Sequence, residues 1–236
     1  MTTILTIDTS SSNCTVVLAS DGQHLESVST EPRSHAKQLL SMVNKLLVQA
    51  NIDLHVVDAF GVVSGPGSFT GLRIGVGSIQ GLAFGLNKPV VLLSSLELLA
   101  TQACLKESSG GVLVVTKARS DEVYFASYKC RGDGIVELVG KEQVVAPDAM
   151  GLTVEAASIE SWCGVGDGWQ YHDRIIDALG VIPLKIDDSI LINTQTLADL
   201  ACLKYQQCQF VAAEHALPCY IKDQLDYRKS NQGSSV

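Results

Sequence analysis

The stretch AFGVVSGPGSFTGLRIGVGSIQGLAFGL, residues 59–86, carries a strand through a glycine-rich turn into a helix. Ala59 to Ser64 is a short apolar run closed by turn residues, whereas Leu72, Val76, Ile79, Ala83 and Leu86 recur at helical spacing. The turn, Gly65-Pro66-Gly67-Ser68-Phe69-Thr70-Gly71, has the strand-to-helix form that points backbone N–H groups at an anion, with Gly67, Ser68 and Thr70 as phosphate-facing candidates. No Gly-Lys-Ser/Thr ending follows, so the lysine and magnesium hydroxyl of a phosphate-binding loop are missing. The purely structural reading of the turn is the stronger one.

The helix holds glycine at 71, 75, 77, 81 and 85. Each interior glycine costs about 0.8 to 1 kcal/mol relative to alanine, so something must offset the set. At about 100° per residue the five glycines and Ser78 share an arc of roughly 160°, with the apolar residues on another face. The apolar side suits the protein's own sheet. The smooth side lets another helix backbone approach, either this chain's own helix at 35–50 or that of another subunit; a combined surface is preferred over wholly internal packing.

On the N-terminal side, residues 4–7, 15–18 and 25–30 read as three strands of an antiparallel meander, and residues 34–50 as a helix capped by Ser34. On the C-terminal side, Pro89 to Leu93 is a further strand, and Ser94 with Glu97 forms a capping box before the next helix. Three strands followed by alternating helix and strand describe a mixed α/β sheet over residues 1–106. Lys106 to Gly111 is the candidate linker. The pattern then restarts over 107–228: strands at 112–115 and 123–128, a weak helix near 147–158, a turn at 164–168, and helices near 171–179 and 196–207. Residues 229–236 are expected to be a disordered tail. Two subdomains of related plan are expected.

Of the 236 residues 46% are hydrophobic and only 18% charged, which excludes intrinsic disorder and suggests that a partner covers part of the surface. A net charge of -8 makes the isolated chain a poor nucleic-acid binder. No run reaches the roughly 18 apolar residues of a membrane span, and the N-terminus does not read as a signal peptide, so a soluble, cytoplasmic protein without membrane contact is expected. Seven cysteines without a CxxC pair read as reduced, buried thiols.

Catalytic signatures are missing. The five histidines (24, 35, 55, 172, 215) show no metal-ligand spacing, and no GxSxG elbow occurs. No catalytic residue and no metal or cofactor site is expected. Asp8 resembles the metal-binding acid of actin-like ATPases, but Thr9, Ser10 and Ser11 stand where those enzymes carry a glycine-rich hairpin; a turn-capping aspartate is the simpler reading.

ILTIDTS at 4–10, SGPGSFTGLRIGVGSIQGLAFG at 64–85, KARSDEVYFASY at 117–128, GVGDGW at 164–169 and EHALPCYIK at 214–222 resemble the TsaB (YeaZ) family. The resemblance implies an actin-like (ASKHA, RNase H-like) α/β fold of two subdomains with a degenerate nucleotide site. It further implies a non-catalytic partner of the enzyme TsaD that, with the ATPase TsaE, supports threonylcarbamoyl transfer to tRNA, touching tRNA only through the complex and able to form homodimers. It assigns to the subunit interface His35, Gln38, Leu39 and Met42 of one helix, and Gly71, Arg73, Ile74, Gly75, Gly77, Ser78, Gly81 and Gly85 of the other. Lys117 departs from the family pattern, where an aspartate is usual, as do Cys219 and Lys222. The alternatives are an ATP-dependent small-molecule kinase or ATPase of the actin-like superfamily, with Asp8 and the 68–70 turn near phosphate, and a metallopeptidase.

Overall fold

The computed structural model describes residues 2–31, 35–132 and 134–221. Ser34, Lys222 and the tail at 229–236 lie outside them. The chain opens with the expected meander, β1 (Thr3–Asp8), β2 (Cys14–Ser20) and β3 (Gln23–Ser29). It continues through α1 (His35–Ala50), β4 (Ala59–Gly65), α2 (Phe69–Leu86), β5 (Val90–Ser94) and α3 (Ser95–Lys106). The sheet order is β3-β2-β1-β4-β5, antiparallel in the meander and parallel from β1 to β5. Every residue of β1 is buried, as a central strand covered on both faces must be. Ser94 caps α3 by accepting from the amides of Leu96 and Glu97, while the Glu97 carboxylate turns to Lys204 at 2.7 Å instead of closing a capping box.

The second half repeats the plan with β6 (Gly111–Lys117), β7 (Val123–Cys130), β8 (Val136–Val145), α4 (Val154–Ala157), β9 (Trp162–Val165), α5 (His172–Leu179), β10 (Lys185–Asp187) and α6 (Thr194–Gln206). Its sheet runs β8-β7-β6-β9-β10, the same sequence of antiparallel and parallel pairings as the first. The sequence reading contains neither β8 nor β10, and two elements that it does contain take another form. The turn expected at 164–168 begins as the strand β9, because Gly164 serves packing: a Cβ there would lie 2.6 Å from the Trp169 indole. The helix expected over 147–158 is a short 3-10 turn at Pro147–Ala149 followed by the single turn α4.

The layers stack as helix, sheet, helix, sheet, helix. Leu5, Ile7 and Val16 face α1 and α2, while Ile4, Val17 and Val63 face α6 and Leu98 of α3. Leu96, Leu99, Ala100 and Ala103 of α3 pack on the second sheet, whose far side buries Trp162, Trp169 and Ile175. This is the actin-like arrangement. Division near residue 106 separates the sheets but not the helices: α3 covers the second sheet, and α6, expected with the second half, covers the first. The seven cysteines are free as expected, and burial pushes the Cys14 thiol up to about 11, but Cys208 and Cys219 are exposed, contrary to the uniformly buried reading. No helix among the described residues is long and apolar enough to cross a membrane.

Candidate functional site

Between the two halves lies a cleft of about 780 Å³. One wall carries Asp8, Ser10 to Asn13 and Pro66 to Phe69; the other carries Lys117, Arg119, Glu122 and Asp167, and Cys219 to Ile221 close one side. Asp8 ends β1 and caps its own turn, accepting from the Ser10 amide at 2.8 Å. Burial raises the pKa of its carboxyl, against the lowering influence of the Ser10 hydrogen bonds and of His35. Among the described residues no three His, Cys, Asp or Glu side chains are grouped to hold a metal.

The loop after β1 rests on the glycine-rich turn. The Ser68 amide donates to the Ser10 carbonyl at 2.7 Å, the Gly71 amide to the Ser68 hydroxyl at 3.2 Å, and the Thr9 hydroxyl to the Gly71 carbonyl at 2.8 Å. Two amides that a phosphate would use are therefore engaged within the chain. Gly67 owes its identity to the same contact, since a Cβ there would collide with the Ser10 backbone, and Thr70 is exposed. His35 belongs to this structure too: it is buried, and its Nε2 lies 3.0 Å from the Ser12 carbonyl oxygen.

The glycines of α2 divide into two sets. A Cβ on Gly71 or Gly75 would strike Thr9, at its carbonyl oxygen and its hydroxyl respectively, so these two serve close packing inside the chain. Around Gly77, Gly81 and Gly85 nothing lies within 4 Å of a Cβ, and Phe84 beside them is 71% exposed. Of the residues expected at an interface, His35, Leu39, Met42, Gly71 and Gly75 are buried within the chain, Leu39 and Met42 because they fill the core under α1. Gln38, Ile74 and Ser78 are half-buried, and Arg73, Gly77, Gly81 and Gly85 are exposed. Sequence reasoning passed over the large apolar residues that α1 and α2 expose, Leu40, Val48, Phe69 and Phe84.

A polar junction joins the halves behind the cleft. Glu142 of β8 accepts from the hydroxyls of Ser94 and Tyr128, the latter at 2.9 Å, next to the Glu97–Lys204 pair. Burial raises the pKa of Glu142, with its two hydrogen bonds acting the other way. A carboxyl with a raised folded-state pKa favours the fold below its unfolded value and loses that contribution as pH rises through the folded one. Glu142→Gln is therefore expected to raise the melting temperature relative to the parent at pH 7.5, with the gain fading towards pH 4; thermal melts at the two pH values check it. No sequence pattern announces this junction, whose Ser94 hydroxyl and Glu142 carboxylate are 48 residues apart.

A family model described as TsaD, tRNA N6-adenosine threonylcarbamoyltransferase, matches residues 27–201. The tRNA threonylcarbamoyladenosine biosynthesis protein TsaB of Escherichia coli (strain K12) is 34% identical over 226 residues, covering 96% of this chain and 97% of that protein. Its namesake from Haemophilus influenzae is 31% identical over 235 residues, covering 96% of each. YeaZ from Pseudomonas aeruginosa superposes with a TM-score of 0.82 at 38% identity, over 93% of this chain and all of that one. Sequence motifs, the repeated five-stranded sheets and these similarities agree: the chain belongs to the TsaB (YeaZ) family.

Proposed function

We propose that this chain acts in synthesis of threonylcarbamoyladenosine in tRNA as a non-catalytic subunit, docking a TsaD-type enzyme on the outer stripe of α2 and the exposed side of α1. With TsaE, that enzyme would transfer threonylcarbamoyl from threonylcarbamoyl-AMP to N6 of the adenosine adjacent to the anticodon in tRNAs reading codons that begin with A. The same face would serve a second copy of this chain.

The observation that carries the reading is the second glycine set. Gly77, Gly81 and Gly85 cost helix stability and meet nothing inside the chain, unlike Gly71 and Gly75. A partner helix brought close to a smooth stripe, with Phe84, Leu40 and Val48 at its edges, gives them a use. The engaged turn and the self-capped Asp8 support leaving chemistry to the partner.

Co-purification with a TsaD homologue tests this. Gly77→Arg is expected to abolish association while the variant keeps its circular dichroism spectrum and melts no lower than the parent. Undiminished complex formation by the variant, or threonylcarbamoyl transfer by this chain alone, overturns the reading.

A further inference from the structure

Four arginines lie among the described residues. Arg131 is spent on Glu137, and Arg174 on Asp121 and Asp148. The other two, Arg73 and Arg119, pair with no carboxylate among the described residues, and both guanidiniums gather on the ring of Phe69, at 3.8 and 5.8 Å from its centroid. Tyr220 completes the group: its ring centroid lies 5.4 Å from that of Phe69, and its hydroxyl accepts from Arg73 Nε at 2.9 Å. Lys117 adds a third cation on the wall that carries Arg119 and Glu122, exposed like Arg119 and likewise in no ion pair among the described residues. Phe69 remains 43% exposed.

Two guanidiniums gathered on one ring, in a chain of net charge -8, offer an anion more than one cation at a single place. Stacked guanidinium and aromatic planes beside unpaired cations suit one chemistry in particular, a phosphate with a base next to it. We propose that this rim contacts the RNA strand directly, with a backbone phosphate between Arg73, Lys117 and Arg119 and an unpaired base against the Phe69–Tyr220 pair. The proposal rests on the assignment of the chain to a tRNA-modifying assembly. A free nucleotide fits less well, because a polyphosphate reaching into the cleft would meet Asp8, Asp167 and Asp188, whereas a single backbone phosphate stays at the mouth. An acidic protein segment would use the cations but leave the exposed ring pair without a role. A lone rim of three cations also fits weak binding by the isolated chain, with the RNA held jointly once the partner is present.

The test uses the full chain assembled with a TsaD homologue, with tRNA affinity read by fluorescence anisotropy across a salt series. For the double variant Lys117→Gln/Arg119→Gln, assembly by size-exclusion chromatography is expected to be unchanged and tRNA affinity to fall about tenfold. The slope of log K against log salt is expected to become shallower by about 0.7 to 1.4, the effect of one or two single-strand phosphates. Phe69→Leu is expected to lower affinity about tenfold without changing the slope, as loss of a stacked base does. Unchanged affinity and slope in an intact complex overturn the proposal. Failure of folded variants to assemble also overturns it and assigns the rim to the protein partner. Adenosine monophosphate bound by the chain alone through Arg119 overturns it in favour of a mononucleotide site. Should the parent chain not assemble at all, the docking reading fails instead, and the rim is judged by tRNA binding to the chain alone, which the same variants must weaken.

Discussion

Gly71→Ala is expected to destabilise the chain by about 3 kcal/mol, whereas Gly81→Ala, ten residues along the same helix, is expected to stabilise it by up to about 1 kcal/mol. At Gly71 the new methyl group would meet the backbone carbonyl oxygen of Thr9 well inside van der Waals contact. That carbonyl cannot retreat cheaply. Its residue donates a hydroxyl to the Gly71 carbonyl at 2.8 Å, and the next carbonyl, that of Ser10, accepts the Ser68 amide at 2.7 Å. Relief requires lifting the loop off the turn and breaking both bonds. At Gly81 nothing lies within 4 Å, so only the helix preference for alanine operates. For a chain of this size the two variants are expected to melt roughly 10 °C apart or more. Thermal melts of both decide the matter; equal melting temperatures would mean that the loop does not press on α2.

Lys204→Met is the second large effect. Lys204 meets Glu97 at 2.7 Å with their side chains only 16% and 20% exposed, and Glu142 lies on the other side of the same junction. Removing the cation leaves the mostly buried Glu97 carboxylate without its partner and under the charge of Glu142, at a cost of about 3 kcal/mol. Without it the Glu142 carboxyl, already raised by burial and otherwise lowered by Lys204, holds its proton more tightly still, so the loss grows as pH rises and shrinks as it protonates in acid. Urea titrations at pH 4.5 and 7.5 are expected to show the larger deficit at the higher pH. Adding Glu97→Leu to the variant is expected to recover part of the stability; a double variant no better than the single one would mean that Lys204 acts by packing alone.

Periodicity located the first half of the fold, because its strands are short apolar runs and its helices have clear apolar faces, as in Leu39, Val43, Leu46 and Leu47 of α1. It missed β8, where the pairing slips between Phe125 and Ser127 and Gly140 takes a φ of 89°, so no single alternation runs through the strand. It misread Gly164 because a glycine needed to admit an indole looks, in sequence, like one needed to turn the chain. The same ambiguity governed the candidate site. Helical geometry put all five α2 glycines on one arc, yet which part of that arc faces Thr9 and which faces outward depends on where the β1–β2 loop lies. The outward set was legible as a smooth stripe, whereas the rim of Arg73, Arg119 and Phe69 was not, since the loop between β6 and β7 and the chain's return at Tyr220 bring its members together.

The crossing of α3 and α6 between the sheets bears on how the chain can be divided. A gene split at codons 106 and 107 would give one fragment holding a helix whose apolar residues Leu96, Leu99 and Ala103 have lost their sheet, and another in the same condition with Leu197 and Ala201. Neither half carries its own lid, so each is a sticky, incomplete product, and only their reunion, each lending the other its cover, restores a closed molecule.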